Sequence, residues 1–430
     1  MGKHADLAAR HKEVLPSWMA LYYKEPIALV DGDGRRVVDA EGNEYLDFFG
    51  GILTTMSGYR VPEVVQAIKD QADRMLHTST LYLIESQIEL AEKIAELSGI
   101  PDAKVFFTNS GTEANDTALM LATQYRKSNQ VLALRGSYHG KSHSAVAITG
   151  QKSWSATSFS PFSVTYVHGG YKLRSPFGHL SDAEFTTACV NDLRDLLDIA
   201  TAGDVAAMIA EPIQGVGGFA TPPDGFFGAM KEVLDSHGIL FITDEVQTGW
   251  GRTGEHFWGY QAHDVTPDLL TFAKGLGNGL AMAGVVARAE IMDCLQANSI
   301  STFGGNPLAT AGALANLNYV IEHDLQTNAN KVGTQLKNGI HHLADDVDEI
   351  VEVRGKGLMI GVEFAKSDGS PHPELTARVM EAAKTEGLLI GKGGLYGNTL
   401  RIAPPLSITE EEATEGLDKL TRAIDRARET

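Results

Sequence analysis

A lysine, three acids and a short polar loop each follow an apolar run in this sequence. Lys274 follows "LLTFA", Asp244 and Glu245 follow "ILFIT", Glu211 follows "AAMIA", and residues 109–112 follow "KVFFT". A neutral lysine amine forms a Schiff base with a carbonyl group, acids hold or transfer protons, and a loop that opens a helix binds anions. If the apolar runs are parallel strands of one sheet, these groups meet at one edge of it.

Lys274 stands in "LLTFAKGLGNG", after an apolar run and before a glycine-rich loop. A lysine that emerges from a buried strand is partly desolvated, which disfavours the ammonium form and leaves a nucleophilic amine. Alternatively, its stem is buried and its charged head reaches solvent or a carboxylate. A Walker-type phosphate loop is excluded, because the lysine precedes the glycines and no Ser or Thr follows it.

The stretch "NSGTEAND" precedes the helical run "TALMLATQY". Ser110 and Glu113 have the spacing of a capping box, and Gly111 allows a ligand to approach the backbone closely. The free N–H groups of this helix start would therefore suit a phosphate group. An ordinary capped helix without a ligand is the alternative, because capping boxes are common.

Apolar runs alternate with helix-like segments over most of the chain. Six of the runs are short and strand-like: "KVFFTN", "QVLALRG", "AAMIAEP", "ILFITDE", "LLTFAKG" and "AGVVARAEI". This rhythm predicts an α/β fold with a mostly parallel sheet that is covered on both faces. Residues 150–180 are aromatic and rich in Ser, Gly and Pro without a clear period, which predicts an irregular excursion beside the site.

The two ends of the chain have different patterns. "ALVDGDGRRVVDAEGNEYLDFFGG" has Asp-Gly and Glu-Gly-Asn turns between β-rich pieces, which predicts a small meander. The tail mixes the strand-like "GLMIGVEFA" and "LRIAP" with helical segments. We therefore expect a meander in residues 1–60 that packs with a smaller domain, a large ligand-binding domain in residues 61–315, and the smaller α+β domain in residues 316–430.

Composition argues against several classes of protein. A formal net charge of −19 over 430 residues is unsuited to a basic surface for nucleic acid. The two cysteines, Cys189 and Cys294, have no metal-ligand spacing, so we expect neither a disulfide framework nor a metal site. No apolar run reaches the length of a bilayer span and the first residues lack a signal-peptide core, which predicts a cytoplasmic protein without membrane contact.

The lysine, the strand-end acid and the helix start together match the requirements of pyridoxal phosphate (PLP). This cofactor needs a lysine for its aldehyde, an acid to keep its pyridine nitrogen protonated, and a dipole for its phosphate. Lys274 is the predicted lysine and Asp244 the predicted acid. One alternative is that Asp244 and Glu245 form a buried pair that caps the strand. A dinucleotide loop at "GWGRTG" is a weaker one, because these glycines do not open a helix.

The motifs "SGTEA", "YHG", "TDEVQTGWGRTG", "STFGGNP" and "LRIAPPLSIT" resemble, in this order, those of the class III aminotransferases, across nearly the whole chain. The resemblance implies the PLP-dependent transferase fold (fold type I) and a homodimer with shared active sites, or a tetramer of such dimers. It implies that Tyr138 and Val246 pack on the two faces of the pyridine ring and that Gln247 lies near the ring hydroxyl. The remaining cofactor residues are then Ser110, Gly111 and Thr112 at the phosphate, Thr302 at the phosphate of a neighbouring subunit, Asp244 at the ring nitrogen, Lys274 at the aldehyde, and Glu211 in the same site.

Arg401 of "LRIAPPLSIT" is the candidate for binding a substrate carboxylate, since a guanidinium group does so through two hydrogen bonds. A structural ion pair is the alternative. Ornithine and 4-aminobutyrate aminotransferases of this class commonly have a Glu that can mask this arginine, at the position that is Val216 here. Arg401 is therefore expected to remain open. Tyr22 and Trp154 are expected to line the substrate side of the site, with a packing role as the alternative for each.

The stretches "FFGGILTTMSGY", "HTSTLY" and "EPIQGVGG" are most similar to the alanine–glyoxylate aminotransferase 2 branch of the class. The implied function is the transfer of an amino group from an amino acid or ω-amine to a small 2-oxo acid, namely pyruvate, glyoxylate or 2-oxoglutarate, by a ping-pong mechanism. A PLP-dependent decarboxylase or aminomutase on the same scaffold is one alternative. A catalytically idle protein that only binds the cofactor is another.

Overall fold

A seven-stranded sheet lies at the centre of the computed structural model, which describes residues 2–19 and 21–429. In spatial order its strands are Ala103–Thr108, Ala283–Arg288, Leu269–Phe272, Leu240–Asp244, Ala207–Ala210, Gln130–Leu134 and Ser163–Val167. Ala283–Arg288 is antiparallel to both of its neighbours, and the other pairs of adjacent strands are parallel. The prediction of a mostly parallel sheet is confirmed.

Helices cover both faces of this sheet. Leu132 packs with the helices Asp182–Ala200 and Phe226–Ser236 on one face. Its neighbour Val131 packs with the helix Gly111–Arg126 on the other face. Because successive side chains of a strand point to opposite faces, both kinds of position are apolar, and the strands read as the continuous apolar runs seen in the sequence.

Two four-stranded sheets lie outside the central one. In the first, Leu29–Asp33, Arg36–Asp39 and Glu44–Asp47 pair as an antiparallel meander, and Leu388–Leu389 pairs in parallel with the last of them. The second sheet has the spatial order Ile350–Lys356, Met359–Phe364, Thr399–Ile402 and Gly391–Gly393. The N-terminal meander thus shares a sheet with the C-terminal part of the chain, while the boundaries predicted after residues 60 and 315 stay predictions.

The helices of the C-terminal part pack against the second sheet. Leu325–Ala344, Pro373–Thr385 and Glu410–Arg428 bury apolar side chains in the same core cluster as its strands. The other α-helical segments of the described chain are Lys3–Val14, the irregular turn Gly50–Leu53, Pro62–Arg74, Glu85–Leu97, His143–Ala147, Ala289–Met292 and Pro307–Glu322. Short 3₁₀ segments are Lys152–Trp154, Lys172–Arg174, Gly259–His263 and Lys274–Gly277.

Residues 150–180 are more regular than the sequence predicts. Ser163–Val167 forms the edge strand of the central sheet and pairs in parallel with Gln130–Leu134. The prediction of an irregular excursion is therefore wrong for residues 163–167. Only Val167 of this strand is buried, so the alternation that marks a half-buried strand is weak in the sequence.

Three further features concern the described residues as a whole. None of their helices is both long enough and apolar enough to cross a membrane. Cys189 is buried, Cys294 is half-buried, and both are free thiols. Residues 2–19 and 21–429 contain no group of three or more His, Cys, Asp or Glu side chains that could hold a metal ion.

Candidate active site

Two adjoining cavities lie at the carboxyl ends of the central strands. Their volumes are about 120 and 490 Å³, and both are lined by Gly111, Tyr138, Val246, Gln247 and Lys274. The smaller cavity is also lined by Thr112, Asn115, His139, Glu211 and Asp244, and the larger one by Tyr22, Ser110, Trp154, Val216 and Arg401. Ligands of open parallel sheets bind at this edge. The structure thus brings together every predicted site residue except Thr302.

Asp244 is the last residue of a buried strand and is itself buried. Its Oδ2 lies 2.7 Å from Nδ1 of His139 and accepts a hydrogen bond from Nδ2 of Asn115 at 2.8 Å. Its Oδ1 accepts the N–H of Val246 at 3.1 Å. In turn, Oδ1 of Asn115 accepts the hydroxyl of Thr271 at 2.7 Å. A carboxylate with these partners is held in one orientation at the wall of the smaller cavity.

The two side chains that hold Asp244 are not among the predicted site residues. His139 and Asn115 stand in the motifs "YHG" and "NSGTEAND", so polar residues beside predicted ligands were the available signal. Their contacts with Asp244 span 105 and 129 residues of sequence. Local spacing cannot reveal such contacts, because they arise only when a helix, a loop and a strand end meet at one edge of the sheet.

Glu245 lines neither cavity. Its carboxylate accepts hydrogen bonds from the hydroxyl of Thr248 at 2.5 Å and from the N–H groups of Gly259 and Tyr260 at 2.9 and 2.7 Å. Burial raises the pKa of Glu245 to about 7. Glu245 is therefore a structural acid at the strand end, as the alternative interpretation of the pair states. Asp244 instead lines the smaller cavity.

Replacing Glu245 with glutamine should weaken the pH dependence of stability. Because the pKa of Glu245 is about 7 in the folded protein and 4.5 ordinarily, the folded state binds more protons between these values. The contribution of Glu245 to the free energy of unfolding is fully present below its ordinary pKa. It is lost as the pH rises through the pKa that Glu245 has in the folded protein. Urea unfolding of Glu245→Gln at about pH 5 and about pH 8 should show a smaller difference in free energy than in the wild type.

Burial also raises the pKa of Glu211 to about 7. Glu211 therefore contributes to the pH dependence of stability in both the wild type and Glu245→Gln. An unchanged difference between the two pH values in Glu245→Gln would contradict the assignment of Glu245 as a buried titrating group.

The glycines of "GWGRTG" serve packing. These residues start no helix and line neither cavity. A Cβ at Gly249 would lie 2.7 Å from the ring of Trp258, and one at Gly254 would lie 2.6 Å from the backbone of Asn330. The glycines therefore let this loop pack closely against its neighbours, and the dinucleotide alternative receives no support.

Lys274 follows the strand Leu269–Phe272 and lines both cavities. Burial lowers the pKa of its amine, Asp244 opposes this effect and Arg401 adds to it. Within the described chain no side chain or backbone group forms a hydrogen bond with its Nζ. The amine is thus free, in surroundings that favour the neutral nucleophilic form that the sequence predicts.

The helix start at Ser110 differs in one detail from the predicted capping box. The Ser110 hydroxyl accepts the N–H of Glu113 at 3.2 Å, but the Glu113 carboxylate accepts the N–H of Asn109 at 2.7 Å. The N–H groups of Gly111 and Thr112 have no partner within the helix Gly111–Arg126, and both residues line the smaller cavity. Their dipole favours an anion at this place.

Two loops and the first turn of a helix contribute the remaining walls of the smaller cavity. Tyr138 and Val246 line both cavities, and the ring of Tyr138 packs edge-on against Trp154 with 5.2 Å between centroids. Thr112 adds a hydroxyl from the first helical turn. The Oε1 of Gln247 is buried without a hydrogen-bond partner. An aromatic ring, an aliphatic side chain and an unsatisfied amide at one cavity suit a flat ligand with a polar rim.

Glu211 joins the Tyr138 loop to the segment that contains Gly215. Its carboxylate accepts the N–H of Tyr138 at 3.0 Å and the N–H of Gly215 at 2.8 Å. Both bonds are to backbone groups, so Glu211 fixes the position of the Tyr138 loop. Its predicted assignment to the cofactor site stays a prediction that these contacts support.

Arg401 is a buried cation that has no ion-pair partner among the described residues. Its Nη1 donates to the carbonyl of Gly215 at 3.3 Å, its Nη2 donates to the hydroxyl of Tyr22 at 3.4 Å, and its Nε has no partner. The rings of Phe49 and Phe219 lie 5.1 and 5.5 Å from the guanidinium carbon. Burial lowers the pKa of this guanidinium. An unpaired buried charge is costly, so Arg401 is suited to receive a carboxylate.

The other predicted substrate residues border the same cavity. Val216 is buried there and has no charge that could mask Arg401. Tyr22 and Trp154 are 43% and 51% exposed, so they form the outer rim of the cavity.

Thr302 is exposed and lines neither cavity. It lies in the segment before the helix Pro307–Glu322, and the neighbouring Ser301 accepts a hydrogen bond from Nδ2 of Asn109 at 3.2 Å. A single chain therefore does not bring Thr302 into its own site. Its role in the site of a neighbouring subunit stays a prediction.

The unsatisfied polar atoms of the site indicate what kind of group fits it. His139 Nε2, Gln247 Oε1 and Arg401 Nε are buried without partners, and the amine of Lys274 is free. PLP has an aldehyde for the lysine, a ring nitrogen for Asp244 and a phosphate for the helix start. The residues present therefore fit this cofactor.

Fold and site define a PLP-dependent transferase. The family model of class-III aminotransferases matches residues 20–424, and the chain belongs to this family. The predictions of the fold, of PLP as cofactor and of aminotransferase activity are confirmed.

Individual relatives cover nearly the whole chain. It is 40% identical to alanine–glyoxylate aminotransferase 2 homolog 2, mitochondrial, of Arabidopsis thaliana, over 99% of this chain and 87% of that protein. It is 35% identical to alanine/serine racemase of Pyrococcus horikoshii, over 97% of this chain and 90% of that protein. The solved structure of an (S)-enantioselective omega-transaminase from Thermomicrobium roseum is 32% identical, with a TM-score of 0.91 and 99% of each chain covered.

Proposed function

We propose that this aminotransferase uses a small 2-oxo acid as acceptor and that Arg401 binds the carboxylate of that acid. One observation carries the proposal: Arg401 is a buried guanidinium without an ion-pair partner in the described chain, and it lines the same cavity as Lys274. Pyruvate, glyoxylate and 2-oxoglutarate have the required carboxylate beside the oxo group. The name of the Arabidopsis relative supports glyoxylate as acceptor and alanine as donor.

The side chains of the site divide the chemistry between them. PLP, when bound, withdraws electrons from the bond that breaks at the reacting carbon of the substrate. Lys274 would hold the cofactor by its aldehyde, and its amine would move the proton of the reacting carbon. Asp244, held by His139 and Asn115, keeps a proton on the ring nitrogen. The oxo acid then enters and the same residues act in the reverse order, which gives ping-pong kinetics.

Arg401→Ala should impair the binding of the oxo acid far more than the binding of a carboxylate-free amine. A hydrogen bond to a charged group contributes about 1.5–3 kcal/mol, so the KM for pyruvate should rise roughly 10–150-fold. The KM for an amine such as 1-phenylethylamine should change little, because it has no group for the guanidinium. Steady-state kinetics with each substrate varied in turn measure both values.

A matched control for this prediction is Arg35→Ala, which removes an arginine that pairs with Glu412 and lines neither cavity. Both KM values should stay unchanged in this variant. An equal rise of the two KM values in Arg401→Ala would remove Arg401 from the substrate site.

The acceptor is tested by a panel of amino acids and ω-amines, each supplied with pyruvate, glyoxylate or 2-oxoglutarate. Amino transfer to one or more of these acids is the expected result. Release of carbon dioxide without an acceptor would indicate a decarboxylase instead. Loss of optical purity of alanine or serine without an acceptor would indicate a racemase, the activity for which the Pyrococcus relative is named.

We also propose a homodimer in which each subunit completes the site of the other. Thr302 is next to Phe303, which is 60% exposed, and the segment 76–83 exposes the large side chains Leu76, Leu81, Tyr82 and Leu83 at 58–93%. The ring of His77 contacts that of Phe303 at 5.0 Å, and the N–H of Leu308 bonds to the carbonyl of Leu76, which joins the two segments. A contiguous apolar surface is typical of a subunit interface. A tetramer built from two such dimers stays a prediction.

Thr302→Ala should weaken the binding of PLP if this hydroxyl reaches the phosphate in the neighbouring subunit. Loss of a hydrogen bond to a charged group should raise the Kd by roughly 10–150-fold, measured by fluorescence titration of the apoprotein. Thr187→Ala, on the exposed face of the helix Asp182–Ala200, should leave the Kd unchanged. An unchanged Kd in Thr302→Ala, or a monomer in analytical ultracentrifugation, would contradict the shared site.

The compartment in which the enzyme works is also a proposal. We retain the cytoplasmic location that the sequence predicts. Cell fractionation followed by immunodetection tests it, and enrichment in an organelle fraction would contradict it.

A further inference from the structure

The turn that carries Lys274 has an unusual backbone conformation. Lys274 has a φ of +45°, in the left-handed region, and Asn278 at the other end of the turn has a φ of +43°. Residues with a β-carbon are disfavoured in this region. Left-handed residues at functional sites persist only where the surrounding structure stabilises them. The contacts that hold this turn therefore bear on the position of the lysine.

A buried amide side chain makes two of these contacts. Asn316, on the helix Pro307–Glu322, is fully buried, and its Nδ2 donates to the carbonyls of Gly275 and Leu276 at 3.0 Å each. Its Oδ1 accepts the hydroxyl of Ser57 at 2.6 Å. Both donors and the acceptor of the amide are thus satisfied, which fixes its orientation.

The segment that orients Asn316 also holds the far end of the turn. The N–H of Ser57 donates to Oδ1 of Asn278 at 3.0 Å, and Nδ2 of Asn278 donates to the carbonyl of Gly58 at 3.0 Å. A Cβ at Gly275 would lie 2.6 Å from the sulfur of Met56, so this segment packs directly on the turn. The turn is therefore held on one side by this segment and on the other by a helix.

We infer that Asn316 is a positioning residue for Lys274: its two hydrogen bonds hold the turn in place, so that Lys274 keeps its left-handed backbone and its amine stays in the shared cavity. Asn316 itself lines neither cavity, so it acts only through the turn. The inference rests on the proposed function, in which Lys274 holds the cofactor and moves the proton.

The test compares Asn316→Ala with a matched control, both as full-length holoenzyme. The control is Asn328→Ala: Nδ2 of Asn328 also donates to two backbone carbonyls, those of Leu406 and Ile408, at 2.7 and 2.9 Å. Asn328 lines neither cavity, and its side-chain hydrogen bonds go to the segment 406–408 and not to the Lys274 turn. Comparing the two variants therefore separates the general effect of losing two side-chain hydrogen bonds to backbone carbonyls from the effect of losing the two at the Lys274 turn.

Two measurements report the position of the lysine. In the holoenzyme, kcat of Asn316→Ala should fall roughly 10–100-fold with little change in the KM for pyruvate, because displacement of a reacting group by about 1 Å can cost about 10²-fold. In the apoprotein, reductive methylation of Lys274 near neutral pH, quantified by peptide mass spectrometry, should become slower than in the wild type. The amine would leave the buried surroundings that keep it neutral. Asn328→Ala should match the wild type in both measurements.

Wild-type values of kcat and labelling rate in Asn316→Ala would overturn the inference, and so would an equal fall of kcat in Asn328→Ala. If Asn316→Ala does not fold, Ser57→Ala removes only the bond to Oδ1. It should then lower kcat and the labelling rate in the same direction by a smaller factor, and no change in either would overturn the inference. Retained turnover in Lys274→Ala would refute the proposed function itself, so the two failures are distinguishable.

Discussion

Replacing Lys274 with alanine should abolish turnover and remove the visible absorbance that PLP has when it is joined to a lysine. The amine of Lys274 is free, and burial lowers its pKa, so it is available both to hold the aldehyde and to take up a proton. General base catalysis alone contributes roughly 10²–10⁴-fold, and loss of the covalent link removes more. Spectra of the purified protein and amino-transfer assays measure the two effects.

The matched control for this variant is Lys337→Ala. Burial also lowers the pKa of Lys337, whose Nζ donates to the carbonyl of Gly355 at 2.9 Å, but this lysine lines neither cavity of the site. Turnover and absorbance should be retained in this variant. A Lys274→Ala protein that keeps both would contradict the assignment of the catalytic lysine.

Asp244→Asn should slow turnover severely while the protein still binds PLP. An amide cannot stabilise a protonated ring nitrogen, and loss of one partner of a buried charge pair costs about 3–5 kcal/mol, which corresponds to roughly 10²–10⁴-fold in rate. Because Lys274 is intact, the visible absorbance of the bound cofactor should remain. The combination of retained absorbance and slow turnover separates this variant from Lys274→Ala.

Asp39→Asn is the matched control for Asp244→Asn. Asp39 also ends a strand, is buried, and accepts hydrogen bonds from Asn43 and Tyr45, but it lines neither cavity of the site. This variant should lose stability and keep its kcat. Wild-type kcat in Asp244→Asn would show that the ring nitrogen has no need of this carboxylate.

The fold could be predicted from the sequence wherever strands are buried on both faces. "QVLALRG" and "ILFITDE" are continuous apolar runs because the two faces of Gln130–Leu134 and Leu240–Asp244 are both covered by helices. The edge strand Ser163–Val167 is mostly half-buried and therefore lacks both a continuous run and a clear alternation. The helix Lys3–Val14 buries none of its residues, so no apolar stripe predicts it.

The site could be predicted as far as single positions at strand ends allow. Lys274 and Asp244 could be placed at one edge of the sheet, because each follows an apolar run. The partners that hold them could not be placed in this way. His139 contacts Asp244 across 105 residues, and Asn316 holds the Lys274 turn from a helix that starts more than thirty positions later. Such contacts depend on the packed fold. The roles of the cavity residues stay predictions until they are tested.

The central claim is that Lys274 holds PLP beside Asp244. Borohydride reduction of the purified holoenzyme, followed by proteolysis and mass spectrometry, tests it most directly, because reduction fixes the cofactor to the nitrogen that holds it. We expect the peptide that contains Lys274 to gain the mass of one pyridoxyl phosphate group and no other lysine peptide to do so. Labelling of a different lysine, or an unmodified Lys274 in a protein saturated with PLP, would contradict this account.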